Sequence, residues 1–208
     1  MEVLKYLYLS ILGGLCTYSI FTLKKGLLYI RLYVIVTFTV EVISLLYLLF
    51  YKQSFLILYQ AYSFFEFYIW LSFFLKISQI NLPKKLILTA YLLIAMVYSY
   101  FDFINSVYLI ILFNNVVFSF FVFFYYRKVI RGDLDLNGIF WVVTGVLFYH
   151  TGGFLLNGMI LPISKIDPSL GSQLYSLNWI LNVFFYSFVF VGLWIEDKKR
   201  SAVKADLF

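Results

Sequence analysis

One cysteine and one histidine in 208 residues remove several chemistries at the outset. Cys16 cannot close an intrachain disulfide. With His150 as the lone imidazole, there is no His/Cys set of the kind that zinc uses, and no HExxH occurs. A GxSxG nucleophile turn is missing, as is a glycine-rich phosphate loop following a strand. No lysine stands mid-way along an apolar run, which excludes a retinal Schiff base. These absences point away from a catalytic residue, a metal or a cofactor. Charge is scarce as well. Charged residues make up 12% of the chain, against about 25% in an ordinary soluble domain. The formal charge of +6 includes no dense basic block that would track phosphates, so no nucleic-acid partner is expected.

What fills the chain instead is apolar: 63% hydrophobic and 23% aromatic. A soluble fold of this length could not cover so much apolar surface, so a lipid bilayer is the expected solvent. A spanning helix needs about 20 mostly apolar residues. Seven such runs follow one another, at about 3–23, 27–51, 54–75, 86–101, 104–126, 139–161 and 175–194. The expectation is an all-α polytopic protein, one seven-helix bundle over 1–194 with a short basic cytoplasmic tail over 195–208. Gly13-Gly14 lies mid-run with no small-residue cleavage site after it, so the first run reads as a retained span.

Basic residues predict the direction. Loops one, three and five and the tail carry Lys24, Lys25, Arg31, Lys76, Lys84, Lys85, Arg127, Lys128, Arg131, Lys198, Lys199, Arg200 and Lys204. The other side carries only Lys5, Lys52 and Lys165. Short loops rich in Lys and Arg stay cytoplasmic, which places the amino end outside and the carboxyl end inside. Trp141, Trp179 and Trp194 read as interfacial anchors near helix ends. Pro83, Pro162 and Pro168 are all assigned to loops. Gly138, Gly145 and Gly152 recur every seven residues along the sixth run, a smooth strip that a neighbouring helix can approach closely.

Against this apolar background, Glu41 and Glu66 stand out. Counting residues from the outer helix ends at about 1.5 Å each puts Glu41 roughly 15 Å deep, Glu66 roughly 18 Å, and His150 and Asn115 roughly 16 Å. Residues at three-and-four spacing extend the pattern along each helix. They are Thr37, Glu41 and Ser44; Tyr59, Tyr62, Ser63, Glu66 and Trp70; Tyr108, Asn115 and Ser119; His150 and Asn157; and Asn178, Asn182 and Tyr186. The expected result is a polar interior open to the outer side, with Gln60, Asn157 and Asn178 at its entrance. Intramembrane ionisable groups are costly and are usually placed for function, so Glu41, Glu66 and His150 are the candidate ligand-binding or proton-sensing groups. Asn115, Asn178, Asn182 and Tyr62 are expected to orient them.

The segments FWVVTGVLFYHTGGFL (140–155) and SLNWILNVFFYSFVF (176–190), with the glutamate-bearing second and third helices, resemble a group of small bacterial seven-helix membrane proteins considered accessory to sensor histidine kinases. The resemblance implies a signalling context, a cytoplasmic partner such as a sensor kinase, and no known catalytic residues. Seven-helix sugar transporters and nicotinamide riboside carriers share the topology. This chain lacks the Pro-Gln pair of the first, and its Asn-Trp element lies in the last span instead of the penultimate one. The expected function is therefore a sensory or regulatory membrane module that binds a small ligand, or reports membrane state, and signals through another protein. The alternative is a secondary transporter or proton-coupled carrier that uses the same carboxylates.

Overall fold

The computed structural model describes residues 2–22, 27–52, 56–78, 83–101, 103–134 and 137–205. Lys24, Lys25, parts of the second, third and fifth connections, and the side chains of Tyr108, Arg200 and Lys204 lie outside the described residues. Within them are seven helices and no strand. The helices are α1 (Glu2–Phe21), α2 (Leu28–Tyr51), α3 (Leu56–Ser78), α4 (Lys84–Phe101), α5 (Phe103–Ile130), α6 (Gly138–Ile166) and α7 (Pro168–Ala205). Five stretches are long and apolar enough to cross a membrane: Val3–Phe21, Leu28–Tyr51, Leu109–Ile130, Gly138–Ile166 and Pro168–Lys199. Helix α3 is not among them, since Gln60, Glu66 and several tyrosines interrupt its apolar residues. It is also deeply enclosed, with Phe67, Ile69, Trp70, Leu71, Phe73 and Phe74 all buried. A helix covered by protein does not have to be as apolar as one facing lipid.

Six helices pack in a ring, α1–α2–α3–α5–α6–α7 and back to α1, with α4 set outside against α3 and α5. Large apolar side chains cover the outer surface, among them Val3, Phe21, Leu49, Phe120, Phe123 and Ile130, each more than 60% exposed. In water such a surface would be untenable; in a bilayer it meets acyl chains.

Local chemistry accounts for the helix ends. Gly132 takes a left-handed φ of 78°, and the Gly132 and Asp133 amides bond back to the Val129 and Lys128 carbonyls, closing α5 with a Schellman motif. Asn137 caps α6, its side-chain oxygen accepting from the Ile139 amide at 2.9 Å. Only Asp167 separates α6 from α7. Its carboxylate accepts from the Ser169 and Leu170 amides, and Pro168 occupies the first helical position, where its missing N–H costs nothing. Two expectations are corrected here. The segment PISKIDPSLGSQ is a one-residue break between two long helices and not a twelve-residue loop. Pro162 lies inside α6 and Pro168 opens α7, so of the three prolines only Pro83 lies outside a helix.

The glycine strip of α6 seats α7. A Cβ on Gly145 would come within 2.9 Å of the Phe188 Cβ, and one on Gly152 within 2.9 Å of Leu181. Gly138 faces the Gly192 carbonyl, and a Cβ on Gly192 would meet Val142 Cγ2 at 2.6 Å. At Gly138 and Gly192 the backbones approach this closely because neither of the two residues has a side chain.

Candidate functional site

A cavity of about 320 Å³ lies inside the ring, in the half that contains the start of α1 and the α6–α7 turn. Five of the six ring helices give it polar side chains that the spacing had aligned: Thr37 and Glu41 from α2; Tyr62, Ser63 and Glu66 from α3; Asn115 from α5; Asn157 from α6; Asn178 and Asn182 from α7. Burial grades along its length. Tyr175 at the mouth is 54% exposed and Asn157 and Asn178 are half-buried, whereas Glu66, Asn114 and Asn115 at the bottom are at most 8% exposed. Below Glu66 the interior is closed by aromatic rings. Tyr33, Trp70, Phe118 and Phe185 are each no more than 1% exposed.

Both carboxylates are held by tyrosines. Tyr8 on α1 donates to Glu41 Oε1 at 3.0 Å, and Tyr33 on α2 donates to Glu66 Oε1 at 3.0 Å. Glu66 is buried and Glu41 half-buried. Each carboxylate uses one oxygen in these contacts, and neither Oε2 has a hydrogen bond among the described residues. Tyr62 shares a hydrogen bond with Thr37 at 2.8 Å, which ties α2 to α3 at the same level. At the bottom, Tyr91 donates to Asn114 Oδ1 at 2.9 Å, so α4 reaches the site through α5.

Two of the expected site residues lie elsewhere. His150 does not face the cavity. It is 1% exposed, packs against Phe118 and Tyr149, and meets Asn115 Oδ1 through Nδ1 at 2.8 Å. It backs Asn115 and touches neither glutamate by hydrogen bond or ion pair. Gln60 bonds to Ser99 on α4, so it joins two helices and does not line the entrance. Ser119 is likewise turned to an interhelical contact, 3.4 Å from Thr151.

Sequence reading did not pick out Tyr8, Asn114, Tyr149, Gly153 and Tyr175, which also line the cavity, and took Trp179 as an interfacial anchor. In the structure Trp179 lies 5.1 Å from the Tyr8 ring inside the wall, whereas Trp141 and Trp194 are 38% and 45% exposed on the outer surface. Gly153 matters for shape, since a Cβ there would stand 3.2 Å from Asn115 Nδ2. The capped periodicity of α6 marks Gly153 only as a second glycine after Gly152, which carries no chemical signal by itself.

The opposite end holds a second polar cluster. Arg31, assigned to an inner loop, is a buried residue of α2 that pairs with Asp197 of α7 at 2.6 Å. Tyr18 donates to the other Asp197 oxygen at 2.6 Å, and Arg31 also donates to Thr22. Next to Asp197, Glu196 accepts from the Gly138 amide at 3.0 Å, at the first residue of α6. Among the described residues no group of three metal-ligating side chains assembles.

No family model matches this chain, and neither the curated proteins nor the solved structures contain a match.

Proposed function

We propose that this protein is a seven-span membrane module, amino end outside and carboxyl end cytoplasmic, that binds a small ligand in the cavity and passes its occupancy to a cytoplasmic partner as a shift of α7. One observation carries this reading: a cavity with two carboxylates and five asparagines inside a ring of apolar helices, open at one end and closed at the other. A polar interior of this kind costs stability, and intramembrane ionisable groups usually mark a functional site. Helix α7 connects the two ends, since Asn178 and Asn182 line the cavity and Glu196 and Asp197 hold α6 and α2 at the far end. A ligand that moves α7 therefore changes the surface at the basic end, where a partner such as a sensor kinase would read it. Helices α3 and α4 complete the seven spans, and the basic residues at the loop ends set their direction.

A carrier is the second reading, and the one-sided cavity favours it. A cavity closed at one end by an aromatic layer and a buried ion pair has the form of one state of an alternating-access cycle, with Glu41 and Glu66 as the coupling groups.

Purification from the native membrane in mild detergent, followed by mass spectrometry of co-purifying proteins, separates the two. A stoichiometric cytoplasmic signalling protein supports the module. A solitary protein that drives pH-gradient-dependent uptake into proteoliposomes, lost in Glu41→Gln and Glu66→Gln, supports the carrier and contradicts the module.

A further inference from the structure

The cavity's lining has a definite charge and surface character, which narrows what it can hold. Among the described residues it contains two carboxylates and no lysine or arginine. Lys5, one turn before Tyr8, lies near enough to Glu41 to interact with its charge but is not part of the wall. The second oxygen of each carboxylate has no hydrogen bond among the described residues, and Glu66 is 8% exposed. A buried carboxylate with a free oxygen, facing a cavity, is an unmet demand for a positive charge or a donor.

Aromatic residues make up much of the remaining wall, among them Tyr8, Tyr149, Tyr175, Trp179 and Tyr186. Such rings attract cations over their faces, and they suit an alkylated ammonium better than a hydrated metal ion, whose oxygen shell they cannot replace. A third unmet group lies at the bottom. Asn115 is 3% exposed, His150 engages its Oδ1, and its Nδ2 has no partner among the described residues. A ligand that fits would bring a cation to the carboxylates and an acceptor to Asn115.

We propose that the cavity's ligand is a small organic cation, an amine or quaternary ammonium compound, held by Glu41 and Glu66 against the tyrosine and tryptophan faces. The inference rests on the ligand-binding reading above and names the chemical class of its ligand. About 320 Å³ accommodates roughly ten water-sized volumes, so the ligand is small.

The test is calorimetric titration of the full chain in nanodiscs with tetramethylammonium and 1,4-diaminobutane. Parallel titrations use 1,4-butanediol, succinate and Ca²⁺. Saturable binding of at least one of the cations is expected, weakened about 10- to 100-fold by Glu41→Gln or Glu66→Gln, the loss that follows removal of the opposite charge and, for the diamine, of a charge-assisted hydrogen bond. Trp179→Leu, which leaves both carboxylates in place, is expected to weaken tetramethylammonium several-fold. The absence of saturable binding of either cation below about 10 mM overturns the proposal. Binding of Ca²⁺ alone overturns it in favour of a metal. Tighter binding of 1,4-butanediol or succinate overturns the cation class while leaving the ligand-binding reading standing. That reading fails separately, if the cavity proves inaccessible to water-soluble probes.

Discussion

Arg31 and Asp197 meet at 2.6 Å although 166 positions separate them, and their side chains are 1% and 5% exposed. The pair joins the start of α2 to the far end of α7, and Tyr18 and Thr22 bring in the end of α1. Removing one partner takes from the other, a buried charge, the ion pair between them. Arg31→Met or Asp197→Asn is therefore expected to lower stability by about 3–5 kcal/mol. The combined Arg31→Met/Asp197→Leu variant should recover much of that loss. Thermal unfolding in detergent checks both, and equal stability of the two single variants and the parent would contradict the account.

The seam between α6 and α7 gives a second prediction. Gly192→Val places methyl groups where Val142 already lies, and overpacking of this kind costs about 1–3 kcal/mol. Gly158→Ala on the same α6 has nothing within 4 Å of its new Cβ and should be neutral, or stabilising by up to about 1 kcal/mol through helix propensity. The same unfolding measurement reads both.

Much of the site was legible in the sequence, for a simple physical reason. Carboxylates and amides in apolar runs are costly, so Glu41, Glu66, Asn115, Asn157, Asn178 and Asn182 stood out, and helical spacing put them on common faces. All six line the cavity. Aromatic lining was hidden, because tyrosine and tryptophan are as much at home at a membrane interface as in a cavity wall, and the sequence is full of them. Gln60 misled because its amide is equally well satisfied by Ser99 on a neighbouring helix. Arg31 misled because an arginine four residues into a helix near a basic loop looks like a topology signal. Its partner lies on the last helix, and no local pattern links the two.

His150 supplies a third prediction. Because it holds Asn115 and does not reach the cavity, His150→Leu should leave the fold assembled while freeing both sides of the Asn115 amide. An unpaired buried amide costs about 1–3 kcal/mol, so a modest loss of thermal stability is expected together with weaker ligand binding. Asn115→Leu, which removes the amide itself, should lower binding at least as much. Binding that survives Asn115→Leu but is abolished by His150→Leu would put the imidazole in the site after all.

Filling the cavity gives a fourth. Gly153→Leu projects a side chain toward Asn115 in the wall, so ligand binding should fall about tenfold or more while the helices stay assembled. Titration of the variant beside Gly158→Ala, one turn further along α6 and outside the lining, separates loss of space from a general effect on the helix.

The central claim is a cavity that water and solutes enter from outside and that ends at the aromatic layer. The chain suits a direct test, because Cys16 is its one cysteine and is buried. In a Cys16→Ala background, single cysteines at Asn157, Asn178 and Val189 are treated in intact cells with a membrane-impermeant thiol reagent. The account predicts rapid labelling at positions 157 and 178, slowed by a bound ligand, and none at 189 below the aromatic layer. Labelling at 189 as fast as at 178, or no labelling at 157 and 178, would contradict it.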